Sequence, residues 1–338
     1  MKRPFMLRAG IMTAFCAWLA WPLDLIADSP TLSGTLPQHE LKRSAEPVLP
    51  IPRHIDVDQR KVALGLRLFE DKRLSRDGSM ACRTCHLLDK GGGDGRALSP
   101  TINGGRRSTN TPTLFNVGLN TLYGWLGAPT TLEALTEAII KSKKGLDSDW
   151  ATIIPRLDND DDYIGQFNDV YADGIQPANV NDAIAEYMRS LITPGSRFDR
   201  FLQGDAVALS NDEIQGYDLF KKYGCSSCHQ GELLGGNMTA SKNIFVDAND
   251  KEAGALSADI KRYEQTDPEP EHGVLRVPTL RNVQRSGPYF HDGSVETLDE
   301  AVELMGRSML GRDIPPAHIK QIVRFLNTLT GKYKGQAL

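Results

Sequence analysis

Cysteine is scarce in this sequence: 338 residues carry five. That excludes a small disulfide-stapled scaffold and makes the spacing of the few thiols informative. Basic residues are not in excess, the formal net charge being −4, which argues against nucleic acid as a partner. Beyond Leu23 no apolar run is long enough to cross a bilayer. Convincing alternation of apolar and polar residues is also missing, which leaves helices as the expected source of a core.

The N-terminus is a separate case. Lys2, Arg3 and Arg8 precede an apolar stretch from Ala9 to Leu23, followed by small residues ending at Ala27. This is the layout of a secretory signal peptide over residues 1–27, and cleavage after Ala27 with export of the mature chain is expected. An uncleaved membrane anchor is the competing reading, but Pro22 and Asp24 close the apolar run too early for it. Phe15, bulky and next to Cys16, argues against lipidation. Loss of Lys2, Arg3, Arg8 and Asp24 takes the net charge from −4 to −6. The remaining chain, about 310 residues, suits two domains of ordinary size.

Cys16 leaves with the peptide. The other four cysteines fall in two copies of C-x-x-C-H: Cys82, Cys85 and His86, then Cys225, Cys228 and His229. Disulfides are an ordinary use of thiols in an exported protein. A structural zinc site would want the two pairs closer in sequence. Histidine directly after both pairs points instead to covalent haem c, in which the thiols bond to the porphyrin and the imidazole ligates iron. Two haem c groups are expected, with His86 and His229 as proximal ligands.

Apolar residues recur at three-and-four spacing over 59–70, 131–144, 178–192, 211–223, 298–306 and 316–330, predicting helices. Thr130 with Glu133, Ser210 with Glu213, and Thr297 with Glu300 read as capping boxes. Gly145, Gly224 and Gly331 read as helix stops. The chain also repeats itself. "GLRLF" at 65–69 and "GYDLF" at 216–220 each precede a haem string; "PTLFNV" begins at Pro112 and "PTLRNV" at Pro278; Thr131-Leu132 and Thr297-Leu298 follow at one interval. The last two pairs share an offset of 166 residues. The expected fold class is mainly α: two tandem haem domains related by internal duplication, over 28–205 and 206–338, with a longer irregular loop at about 238–274 in the second.

The same offset places Met305 opposite Ile139 and His291 opposite Trp125. A methionine thioether can be the sixth ligand of a c haem and raise its potential, whereas isoleucine ligates nothing. Core packing is the ordinary role of a helical methionine, but the duplicated frame favours Met305 as a ligand, ahead of Met238 and Met309. The C-terminal haem is therefore expected to be six-coordinate and suited to electron transfer. The N-terminal haem is expected to keep an open position that binds a small molecule such as peroxide. Trp125 and His291 should lie near the interface of the halves, with Trp125 either core or an electron relay.

Together "LFEDKRLSRDG", "CRTCH", "TNTPTLFNVG", "GCSSCH", "PTLRNVQRSGPYFHDGS" and "TLDEAVELM" resemble the bacterial dihaem cytochrome c peroxidase and MauG superfamily, in order and over nearly all of the mature chain. The resemblance implies two class I cytochrome c-like domains. It implies hydrogen peroxide reacting at the N-terminal haem, with electrons from a small cytochrome c or cupredoxin entering at the C-terminal one. It makes Met305 the distal ligand of the second haem and Trp125 the inter-haem tryptophan. It also implies calcium at Asn110, Ser286 and Pro288, largely through carbonyl oxygens, which suit a hard cation, and a homodimer.

The departures are as informative. The loop "LLDKGGGDGRALSPTINGGRR" after the first haem string lacks the histidine that caps the iron in many peroxidases, so the first haem should be open without activation, as in MauG. The MauG branch has tyrosine where this chain keeps Met305. At the distal acid–base pocket the family's glutamine aligns with Leu135, and its glutamate falls in "IIKSKKGL", which has no acid. Glu133 and Glu137 turn away from the Ile139 face by helical geometry, leaving Asp147 or Asp149 if the loop is shifted. The expected function is a peroxide-reducing dihaem peroxidase. The alternatives are a MauG-like oxidase of tryptophan or tyrosine in a partner protein, and a non-catalytic dihaem carrier.

Two further stretches carry no site. "DNDDD" at 158–162 has Tyr163 where a calcium loop needs glycine and reads as a solvated acidic loop. Gly91, Gly92 and Gly93 lack a nucleotide-binding frame and read as flexible backbone near a haem edge. His39, His54, His272 and His318 have no evident partner.

Overall fold

The computed structural model describes residues 46–241 and 274–338. The signal peptide over 1–27, His39, His272 and most of the 238–274 loop lie outside them. The described helices are α1 Gln59–Glu70, α2 Leu132–Lys141, α3 Trp150–Asp158, α4 Asp161–Asn168, α5 Pro177–Arg189, α6 Arg197–Leu202, α7 Asn211–Tyr223, α8 Leu298–Leu310 and α9 Pro316–Asn327. Two short antiparallel ribbons complete the description: β1 Thr239–Ser241 with β2 Val274–Arg276, and β3 Lys332–Tyr333 with β4 Gln336–Ala337. None of these helices is long and apolar enough to cross a membrane.

Helix α1 packs on α5, and α7 on α9. Both crossings depend on a glycine. A Cβ on Gly65 would lie 1.9 Å from the Ala183 carbonyl oxygen, and one on Gly216 would lie 2.0 Å from that of Gln321. The backbones therefore meet where only hydrogen fits, bringing the apolar faces on either side into contact. Leu64, Leu68, Phe69, Ile184 and Tyr187 belong to one apolar core; Tyr217, Phe220, Ile322 and Phe325 belong to another. Val48 and Phe198 join the second core, although they precede residue 206 in the chain.

The capping expectations hold at Ser210 with Glu213 and at Thr297 with Glu300. At α2 the cap is Thr131, whose hydroxyl accepts from the Ala134 N–H, rather than Thr130. Gly224 closes α7 at φ 96°. Gly145 and Gly331 lie beyond helix ends set at Ser142 and Thr328. Helices α3, α4 and α6 were not anticipated. Pro155 interrupts the α3 pattern, and "DNDDD" is a helix start: Asp160 accepts from the Tyr163 N–H, with Asp161 and Asp162 in the first turn. Acidic groups favour that end of a helix. Nor is Asp160 simply solvated, since it pairs with Arg67 and Arg73.

Backbone geometry recurs at the offset of 166. Asn116 and Asn282 are both left-handed at φ 61°, and Gly124 and Phe290 both have φ 68°. The Tyr123 N–H donates to the Pro129 carbonyl, and the Tyr289 N–H to that of Val295. The two asparagines converge: each amide nitrogen donates to the Thr193 hydroxyl, at 2.7 and 2.9 Å.

Candidate haem sites

His86 follows a single turn, Cys82–Thr84, and His229 follows the turn Cys225–Ser227. In each, the histidine N–H bonds back to the carbonyl of the first cysteine. The Nδ1 of His86 lies 3.0 Å from the Gly92 carbonyl, and that of His229 lies 2.9 Å from the Leu234 carbonyl. A carbonyl only accepts, so each ring donates from Nδ1 and keeps the Nε2 lone pair for a metal. Phe69 and Phe220 tilt against these rings at 6.4 and 6.5 Å. Desolvation pushes the His86 imidazole down to about 4 and lowers that of His229, so both are neutral near pH 7.

All four cysteines are free thiols, not disulfides. Desolvation raises Cys82 to about 12 and Cys225 to about 11, keeping both as thiols rather than thiolates. Two unpaired thiols and one neutral imidazole with Nε2 available form a donor set that fits covalent haem c at each string.

The glycine run holds His86. Gly91, Gly92 and Gly93 are buried, and a Cβ on Gly91 would lie 2.1 Å from the Arg285 carbonyl oxygen. This is tight packing, not the flexible backbone expected. Positive φ at Gly91 and Gly92 turns the Gly92 carbonyl toward the ring.

On α8, Leu298 and Val302 pack against the second core, and Met305, seven residues beyond Leu298, shares their face. Ile139 holds the matching place on α2. Both side chains are half-buried. Trp125 and His291 meet edge-on, ring centroids 6.3 Å apart at 74°. The indole of Trp125 donates to the Asn110 carbonyl at 2.8 Å, and the Asn110 N–H donates to the His291 carbonyl at 2.6 Å.

The four acids weighed for the distal pocket, Glu133, Glu137, Asp147 and Asp149, have other partners. Glu133 pairs with Arg189. Glu137 receives Lys141, Asn181 and the Trp150 indole. Asp147 pairs with Arg76, and Asp149 caps α3 through the Thr152 N–H. The loop is fixed by Leu146 N–H to the Ile139 carbonyl and Ser148 N–H to that of Ile140. His318 does have a partner, the Tyr223 hydroxyl at 2.7 Å.

Residues 59–207 match the family described as di-haem cytochrome c peroxidase. The cytochrome c peroxidase Ccp of Escherichia coli K12 is 40% identical over 321 residues, covering 93% of this chain and 67% of that protein. The chain belongs to the di-haem cytochrome c peroxidase family. Cytochrome c551 peroxidase of Nitrosomonas europaea is 36% identical over 287 residues, 85% of this chain and 84% of the relative. A MauG-like protein associated with microbial copper homeostasis has a similar structure, with TM-score 0.68 and 25% identity over 90% of this chain and 96% of that one. This di-haem peroxidase is thus a mainly helical enzyme of the cytochrome c peroxidase type. Membership implies two c-type haems, hydrogen peroxide and an electron donor.

Sequence reasoning missed two arginines of this di-haem peroxidase. Arg281 is fully buried and pairs with equally buried Asp199 at 2.7 Å. Arg276 is 5% exposed and adjoins the Trp125 turn. Each stands where the first half has another residue, Phe115 and Asn110 respectively, and that difference within the repeat was a readable signal.

Proposed function

We propose that this chain is a periplasmic peroxidase built from two class I cytochrome c-like domains, over about 28–205 and 206–338, that arose by duplication. Recurrence of backbone geometry at one offset and two separate apolar cores support that reading, with Val48 and α6 lending side chains to the second core. Hydrogen peroxide is reduced at the site of Cys82, Cys85 and His86. Electrons enter from a small cytochrome c or cupredoxin at the site of Cys225, Cys228, His229 and Met305. The observation that carries this is the asymmetry of two otherwise matched sites, with Ile139 on α2 where α8 has Met305. When bound, haem supplies one-electron transfer and cleavage of the O–O bond.

The protein's own part is orientation. The Gly92 and Leu234 carbonyls hold Nδ1–H of His86 and His229, fixing ring rotation and raising the basicity of Nε2. Ile139 has no donor atom and would not ligate an iron held by Cys82, Cys85 and His86. Trp125, held by its indole N–H and in edge contact with His291, is the relay between sites. Reduction of peroxide to two waters consumes two electrons and two protons. Calcium at Asn110, Ser286 and Pro288 would brace this junction. The Asn110 amide nitrogen is taken up by the Arg96 and Ala97 carbonyls, leaving its oxygen side for a hard cation.

A MauG-like oxidation of tryptophan or tyrosine in a partner protein is the second reading. The engagement of Glu133, Glu137, Asp147 and Asp149 in structural bonds favours it, because rapid peroxide turnover needs a group free to move a proton. Stoichiometric peroxide added to the purified diferric protein, with and without reduced cytochrome c, separates the two. Rapid donor oxidation with turnover supports the peroxidase. A long-lived oxidised state with poor turnover supports the protein oxidase. Inertness toward peroxide would leave a dihaem carrier.

A further inference from the structure

We propose that Arg276 binds a propionate carboxylate of the haem carried by Cys225, Cys228 and His229, coupling that haem to the Trp125 turn. The assignment rests on the two-haem reading above. Arg276 lies on β2, 5% exposed, and its Nη1 is buried without a hydrogen-bond partner. Its other contacts are directional. Nε donates to the Gly124 carbonyl at 2.7 Å, and the backbone N–H donates to the Trp125 carbonyl at 2.7 Å. Among the described residues no carboxylate pairs with it. Desolvation pushes the guanidinium down to about 10, which still leaves it charged near neutrality.

A buried cation with an unpaired donor is costly to maintain unless an anion arrives. A planar carboxylate matches the guanidinium fork, and a haem carries two such groups on one edge of its porphyrin. Position selects which haem. From Arg276 the chain runs directly into Val277 and Pro278. The Val277 carbonyl accepts from the Gly236 N–H at 2.8 Å, and a Cβ on Gly235 would lie 2.2 Å from the Pro278 oxygen. Arg276 is therefore fastened to the loop whose Leu234 carbonyl holds His229.

The corresponding residue of the first half is Asn110, which is neutral. The two make one backbone bond in mirrored fashion: Asn110 N–H to the His291 carbonyl, Arg276 N–H to the Trp125 carbonyl. Only the second half adds a positive charge there. A fixed cation beside a haem favours its reduced form, so Arg276 raises the potential of the electron-entry haem relative to its partner and ties its edge to the relay turn.

The test uses the holoprotein and its Arg276→Gln and Arg276→Lys variants. Haem content is counted by pyridine haemochrome, each haem is titrated spectroelectrochemically, and propionate bending modes are read by resonance Raman. In Arg276→Gln, with two haems per chain, the His229 haem should be at least tenfold more oxidised at fixed ambient potential, a downward shift of about 59 mV. Its propionate mode should move, and the His86 haem should not respond. Arg276→Lys should recover most of the potential while the propionate mode stays altered, which also serves if the glutamine variant fails to fold. Unchanged potential and propionate mode in either folded variant would overturn the proposal, and equal shifts in both haems would overturn its assignment to the second. Fewer than two haems in the unmutated protein would instead remove the two-haem reading beneath it.

Discussion

At one equivalent point the two halves make opposite choices. Phe115 is 1% exposed, with its ring 5.3 Å from that of Tyr333. Arg281, 166 residues on, is also 1% exposed but pairs with Asp199 and donates to the Glu232 and Leu49 carbonyls. The next residue in each half, Asn116 or Asn282, keeps the same left-handed backbone. The same main-chain frame thus accepts an apolar or an ionic core residue. What differs between the halves is the side-chain chemistry placed on that frame: a charge at Arg281 for Phe115 and at Arg276 for Asn110, and a thioether at Met305 for Ile139.

The sharpest way to break the comparison is to orphan the buried cation. Asp199→Ala should cost about 3–5 kcal/mol in urea unfolding, because it leaves Arg281 charged and unpaired. The double change Asp199→Leu with Arg281→Met should recover most of that loss, bringing the second half toward the apolar choice of the first. A single-variant loss below about 1 kcal/mol, in the range of an exposed pair, would show that the site is wet.

The glycine crossings test what the halves share. Gly65→Ala and Gly216→Ala should each cost about 2–3 kcal/mol by overpacking against a backbone carbonyl. Tolerance of one but not the other in thermal melts would show that the crossings are not equivalent.

Met305→Leu should lower the potential of one haem by at least about 59 mV, a tenfold change, while Ile139→Leu leaves both alone. Equal potentials before and after Met305→Leu would remove the ligand assignment.

The smallest effect is expected at Glu137. Burial works against its charge, but Lys141, Asn181 and Trp150 outweigh that and hold the carboxyl below its ordinary value of 4.5. The stabilisation is then complete above the unfolded value and is lost as pH falls through the lower folded one. Glu137→Gln should cost about 1 kcal/mol near pH 7, and unfolding curves at several pH values should show the gap closing as pH falls below the ordinary carboxyl value of 4.5. A gap that widened in acid would contradict the depressed carboxyl.

The haem strings were legible because covalent attachment requires thiols and imidazole at a fixed local spacing. The six main helices were legible from periodicity, and the capping boxes of α7 and α8 from local pattern. Helix α3 was hidden by Pro155, and α4 by an acidic run whose first members cap and charge a helix start. The packed state of Gly91 to Gly93 could not be read locally, since the Arg285 carbonyl pressed against Gly91 is almost two hundred residues away in sequence. For the same reason the burial of Arg281 and Arg276 has no local pattern, although each differs in type from its counterpart 166 residues earlier.

The sequence by itself determined the two C-x-x-C-H strings, the helical class, the recurrence of motifs at one offset and the placing of Met305 where the earlier stretch has Ile139, all carried by residue type and spacing along the chain. Only the tertiary structure decided which carbonyls fix the two imidazoles, that Glu133, Glu137, Asp147 and Asp149 already have partners, and that Trp125 meets His291 edge-on. It also revealed one paired and one unpaired arginine in the interior. These depend on burial and on contacts between distant residues, which set the cost of a charge or an unpaired donor and leave no local pattern in the chain.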